Sequence, residues 1–142
     1  MSNSRFLSPR QQEVLQIPFN RQFGIEFDGT TNGIVQSHFQ TTAEFATSGN
    51  YLHGGVLSVV FEIAGFLALA PLLGDQQLAV THDLHVSFMR SVQIGVRCDL
   101  QASVIRFGRT LAFLEVSAYV GESCVGSARI TKSILEKSLQ SK

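Results

Sequence analysis

Residues 50–73 read NYLHGGVLSVVFEIAGFLALAPLL, and from Val56 to Leu73 the only charged side chain is Glu62. A helix that is apolar nearly all round is one enclosed by protein, so this segment is placed at the centre of the core. It is also long enough to raise the question of a membrane span, which starts at about 18 residues. Content weighs against that reading: an acid at mid-helix costs on the order of 2.5–3.5 kcal/mol on insertion scales, and Pro71 interrupts the far end. Thr47-Ser48-Gly49-Asn50 is a loop by composition, His53-Gly54-Gly55 is the turn into the helix, and Pro71 and Gly74 punctuate its end.

Something must wrap such a helix, and the rest of the chain supplies it. Leu78–Arg90, Gly95–Phe107, Thr110–Val120 and Ser123–Ile134 run at strand period. In the second, Val96, Cys98, Leu100, Ala102 and Val104 share one face and Arg97, Asp99, Gln101 and Ser103 the other; in the third, Ala112, Leu114, Val116, Ala118 and Val120 repeat the dry face. The links at Gly108-Arg109 and Gly121-Glu122 are hairpin length. Upstream, Phe23–Phe27 and Ile34–Phe39 read as a further hairpin, with Asp28-Gly29 and Asn32-Gly33 between them. Before it, Ser8-Pro9 opens a short helix that Pro18 stops. The expected fold is α+β: a meander of antiparallel strands curled around one central helix. One domain spans 1–142, with the leading helix inside 1–20 and a solvated tail over 135–142.

Eleven basic residues balance eleven acidic ones. No global field therefore favours nucleic acid or an anionic membrane. Cys98 and Cys124 lie in strand segments rather than in ligand spacing, and reduced thiols in a cytosol are the simplest account. The opening MSNSRFLSPRQQ has no apolar core of the secretory kind, so a cytoplasmic location is expected.

Standard signatures such as a GxSxG elbow, a Walker loop, a GxGxxG helix start or HExxH are absent. His82 and His85 flank Asp83, but a three-residue offset on a regular strand sends the imidazoles to opposite faces, and no metal site is expected. The informative stretch is Asn50–Glu62. Two glycines let backbone approach a ligand where a helix starts with unpaired N–H groups, so a carbonyl placed there is polarised by the Gly55 N–H. By itself a Gly-Gly pair is as well explained by a tight turn. Glu62 shifts the balance, because a carboxylate inside an enclosed helix is costly unless it has partners or a task. Seven residues separate Gly55 from Glu62, which puts them on one face but roughly 10.5 Å apart along the axis. They are too far apart to grip one carbonyl from opposite sides. A two-fold dimer would bring Gly55 of one chain to Glu62 of the other, giving two sites at the interface.

These residues resemble the hotdog-fold acyl-CoA thioesterases of the phenylacetate-pathway and 4-hydroxybenzoyl-CoA type. The likeness rests on His53-Gly54-Gly55 with an acid nine residues after the histidine, on the strand Val80-Thr81-His82-Asp83 running to Phe88-Met89-Arg90, and on the hairpin Phe107-Gly108-Arg109-Thr110-Leu111-Ala112-Phe113. It implies a hotdog fold and hydrolysis of an acyl-CoA at a dimer interface. Glu62 would act as general base or nucleophile, with His53 and the Gly55 N–H orienting the thioester. It further implies roles for the Thr81 hydroxyl and for Asn50, and a site for the CoA phosphates at Arg90, Arg106, Gly108 and Arg109. No cofactor is implied, coenzyme A being part of the substrate, and the partner is a second copy, with dimers of dimers left open. Glu62 stands where many relatives carry Asp. Unbroken strand alternation, for its part, groups Thr81 with Asp83, His85 and Ser87, away from Leu84, Val86 and Phe88. Two other readings stand beside hydrolysis: a non-catalytic acyl-CoA binding module, which has no need of Glu62, and an acyl dehydratase or hydratase using His53 as base.

Overall fold

Helix α3, Gly54–Leu69, is the axis of the structure, and the side chain of His53 caps its first turn. The computed structural model describes residues 3–137. Leu57, Val60, Phe61, Leu67 and Leu69 are among the α3 side chains sealed from solvent. The most apolar 18-residue window of Gly54–Leu72 is long enough to cross a membrane, but 56% of it is buried inside this fold. The enclosure is incomplete in one respect. Gly55, Val59, Glu62 and Phe66, spaced at four, three and four residues, form a strip that is not buried.

Six antiparallel strands wrap the helix: β1 (Glu26–Thr31), β2 (Ile34–Gln40), β3 (Gln77–Phe88), β4 (Arg97–Phe107), β5 (Leu111–Val120) and β6 (Ser123–Glu136). Their order is β1-β2-β4-β5-β6-β3. The expected meander therefore holds only from β4 to β6. β3 crosses to the far side, pairs with β6 and forms an edge. The dry face falls as the alternation requires: Ala112, Leu114, Val116 and Ala118 of β5 are fully buried, with Cys98, Leu100 and Ala102 of β4 beside them. Gly65 lets α3 lie this close to the sheet, since a Cβ there would stand 3.0 Å from Ile130 Cδ1.

Three sequence expectations need correction. Asn32-Gly33 is the β1–β2 turn, with φ of 53° and 78°. Asp28-Gly29 is not a turn; the register shifts between Phe27 and Gly29, a bulge inside β1. β1 thus starts at Glu26, and Phe23 and Ile25 are buried just ahead of it. Leu135 and Glu136 pair with Leu78 and Gln77 at the end of β6 rather than beginning a tail, and residues 138–142 lie outside the described residues.

The leading helix α1 (Pro9–Gln16) starts at Ser8 with a reciprocal capping box to Gln11. A one-turn helix α2 (Pro18–Arg21) follows, which Pro18 opens rather than prevents. Gln11 does a second job: its Nε2 donates to the Leu67 carbonyl at 2.7 Å, tying α1 to α3 from a side chain that is 3% exposed.

Candidate active site

Two features of the open strip on α3 carry chemistry, one at each end. At the N-terminal end the Gly55 N–H donates to His53 Nδ1 at 2.8 Å. The donor expected to polarise a carbonyl is thus held by the capping imidazole, and a substrate reaches it only if that ring turns away. Gly54 lies under the Phe88 ring, where an added Cβ would stand 3.3 Å from two ring carbons. His53, Gly54, Phe88, Met89 and Arg90 line a cavity of about 330 Å³.

Two turns along the helix, Glu62 makes contacts that strand alternation did not foresee. The Thr81 hydroxyl donates to Glu62 Oε2 at 2.7 Å. Lys132 Nζ donates to the same Thr81 oxygen at 2.8 Å and stands 3.6 Å from Glu62 Oε1. Oε1 itself is buried and has no hydrogen-bond partner. Thr81, though exposed, turns its hydroxyl to the α3 side because β3 carries a bulge: its register with β6 shifts between Thr81 and Asp83, so Thr81 pairs with Lys132 while Leu84 pairs with Ile130. One extra residue, His82, resets the parity, and Thr81 joins Leu84 rather than Asp83. The same bulge turns His82 outward, its Nδ1 3.4 Å from Ser133 Oγ, onto the face His85 occupies rather than the opposite one.

Lys132 escaped the sequence reading, although a signal was available. It continues the inward series Ala128, Ile130, Lys132, Ile134, a cation on the dry face of a strand. The side chain is almost wholly buried. Burial pushes its ammonium below the ordinary lysine range, and the Glu62 carboxylate pulls partly the other way. Its Nζ also sits 5.4 Å from the centroid of the Phe66 ring. Val14, Ile17 and Asn20 from the α1–α2 segment join Glu62, Phe66 and Lys132 around a cavity of about 190 Å³.

Asn50 is explained by its backbone. It sits at φ 65°, a conformation that Asn tolerates better than most residues, and its carbonyl accepts from Ile94 N–H at 3.2 Å. The arginines divide. Arg90 lines the His53 cavity. Arg106 and Arg109 flank the β4–β5 turn, whose neighbour Ala112 pairs with Lys132, so they belong to the Glu62 end of the sheet. Gly108 serves that turn, its N–H donating to the Leu111 carbonyl at 2.8 Å, where a Cβ would lie 2.9 Å from the same oxygen.

With this geometry in view, comparison with known proteins is informative. Residues 49–127 match the thioesterase superfamily. The chain belongs to the thioesterase superfamily. The six-stranded sheet around its long helix is the hotdog fold of that superfamily. A thioesterase of Haemophilus influenzae superposes with a TM-score of 0.83 at 18% identity, over 94% of this chain and 95% of that one. A phenylacetic acid degradation-related protein of Ralstonia eutropha JMP134 gives 0.79 at 20% identity, over 87% and 98%. A Saccharolobus solfataricus protein provisionally named an esterase is 28% identical over 114 residues, which cover 80% of this chain and 71% of its own. Membership supports thioester hydrolysis as the class of reaction. The matched stretch contains His53, Glu62, Thr81 and Arg90, and it ends before Lys132.

Proposed function

We propose that the protein is a cytoplasmic acyl-CoA thioesterase that works as a homodimer, releasing a free acid and CoA with Glu62 as the reacting carboxylate. The observation that carries this reading is Glu62 itself: a carboxylate on the open strip of the core helix, held by Thr81 and Lys132 beside a cavity, in a thioesterase superfamily chain. An ionised carboxylate so placed either takes a proton from attacking water or attacks the thioester carbon directly. The net balance is the same on both routes, thioester plus water giving acid plus thiol. Either activated water forms the new C–O bond as the C–S bond breaks, or Glu62 forms it first as an anhydride that water then cleaves, freeing the carboxylate.

A dimer is supported by what one protomer lacks. Gly55 and Glu62 lie on one strip but about 10.5 Å apart along the axis. The flanking β3 edge presents Val80, Phe88 and Met89 at 48%, 56% and 53% exposure, an apolar rim beside a strand paired on one side only among the described residues. Arg90 would take a CoA phosphate from the His53 side, and Arg106 and Arg109 would do so from a second copy. An aryl-acetyl or other compact acyl group is the substrate class we favour. The hollow beside Glu62, about 190 Å³ and walled in part by Val14, Ile17, Ile63 and Phe66, offers such a group an apolar seat.

The test is CoA-thiol release from a panel of aromatic and aliphatic acyl-CoAs, with the mass in solution measured by light scattering. Turnover on a compact acyl-CoA, lost by about a hundredfold or more in a folded Glu62→Ala variant, supports the assignment. Release unchanged by that substitution sinks it. A monomeric active enzyme sinks the shared-site arrangement.

A further inference from the structure

We propose that Lys132 is a positioning residue, one that fixes the Thr81 hydroxyl proton on Glu62 and holds that carboxylate in one orientation. The inference rests on the reading of Glu62 as the reacting group and deepens it. Three contacts surround the buried ammonium: Thr81 Oγ1 at 2.8 Å, Glu62 Oε1 at 3.6 Å and the Phe66 ring at 5.4 Å.

The direction of the hydrogen bonds follows from the chemistry of the groups. An ammonium has three donors and no acceptor, while a hydroxyl has one proton and two lone pairs. Since Thr81 Oγ1 accepts from Lys132, its single proton is left for Glu62 Oε2, 2.7 Å away. Glu62 Oε1 is turned inward toward the cation and is inaccessible. Oε2 is left as the oxygen that a substrate or water can approach, already aligned by one donor. Without Lys132 the hydroxyl would be free to turn its proton elsewhere, and the inward oxygen would lose the one cation paired with it among the described residues.

This arrangement predicts an effect of pH that a merely space-filling lysine would not produce. A neutral amine has a lone pair and can accept from the hydroxyl, so loss of the Lys132 proton unfixes the chain. Burial moves that loss below the ordinary lysine value of 10.5. Glu62 is the charged group that bears on Lys132. β3 presents Thr81, β5 presents Ala112, and the α1–α2 segment presents Val14, Ile17 and Asn20, none of them charged.

The experiment measures kcat and KM against pH for the native enzyme, Lys132→Met, Lys132→Arg, Thr81→Val and the Thr81→Val/Lys132→Met pair, each checked for folding. The expected native profile falls on its alkaline side. Lys132→Met lowers kcat by about ten- to a hundredfold with KM little changed, the range known for residues that orient a reacting group. Lys132→Arg, a donor at every accessible pH, keeps most of the rate and loses the alkaline fall. The double variant is no slower than the slower single one, because both act through one hydrogen bond. A Lys132→Met enzyme with native kcat and profile, or two losses that multiply, overturns the proposal. Should the native protein hydrolyse no acyl-CoA at all, the functional reading fails and the network still faces its own test. Lys132 is one of three lysines in the chain. Its side-chain ammonium can therefore be titrated by nitrogen-15 lysine labelling: a midpoint lowered by Glu62→Gln supports the contact, and an unmoved midpoint removes it.

Discussion

The Gly55 N–H points at Nδ1 of His53, 2.8 Å away, so the first turn of α3 is closed by its own capping side chain. Two substitutions separate the cap from the donor. His53→Ala costs about 0.5–2 kcal/mol of stability in urea unfolding, the usual loss for a removed N-cap, yet retains turnover, because the donor is backbone. Gly55→Pro keeps first-turn backbone but deletes the N–H and pushes the His53 ring aside, since an added Cβ would stand 3.0 Å from Nδ1; His53→Ala is the control for that displacement. The kcat of Gly55→Pro falls by about 10²–10³-fold, as for other enzymes that lose one carbonyl-polarising donor. Native kcat in Gly55→Pro would remove this amide from the reaction.

Asn50 offers a contrast, since its left-handed backbone already accounts for it. An L-residue without a short polar side chain pays roughly 1–2 kcal/mol to sit there. Asn50→Ala is expected to lose about 1 kcal/mol on that basis and Asn50→Gly almost nothing, both keeping native kcat. A folded Asn50→Gly protein with little turnover would return the amide side chain to the catalytic set.

Lys132 also makes stability depend on pH. Burial lowers its folded value below 10.5, so in the alkaline window beneath 10.5 the unfolded chain binds more protons than the folded one. Stability contributed by this group therefore rises with pH across that window. Urea unfolding of native protein and Lys132→Met between neutral pH and 10.5 reads the effect as a difference. The native curve gains on the variant as pH increases, and parallel curves would refute it.

Cys98 behaves in the opposite sense. Fully buried on β4, its thiol is pushed up to about 12 from an ordinary 9.0, chiefly by burial, with Asp99 adding to the rise. At pH 8 a thiol reagent should leave Cys98 untouched in the folded protein and reach at most Cys124, with both thiols titrating after denaturation. Two thiols reacting quickly in the native state would mean that β4 opens far more readily than its packing implies.

Much of the fold was legible because period carries it: the apolar helix and the alternating strands β4 and β5 required no tertiary knowledge. What period cannot show is where it breaks. Asp28-Gly29 read as a turn and is a bulge; the His82 bulge reversed the face assigned to Thr81. Both bulges are set by the partner strand's hydrogen bonds, which local sequence does not record. The place of β3 at the sheet edge is likewise a long-range matter, decided by pairing with β6. Glu62 stood out as a lone acid in an apolar run. Lys132 was as conspicuous in its own series, inside the strand read over Ser123–Ile134, but a single cation at strand period belongs to no spacing motif that pairs it with Glu62.

The leading helix gives the carboxylate a wall that the central helix cannot supply. Val14, Ile17 and Asn20 line the hollow beside Glu62 and Lys132, and the Gln11 bond to Leu67 ties their segment to α3. Removing that segment would take away the apolar side of the hollow and widen the solvent contact that the partly exposed Glu62 side chain already has. The shape of the hollow and the charge beside it can thus be altered separately, because the α1–α2 segment supplies the one and β6 the other.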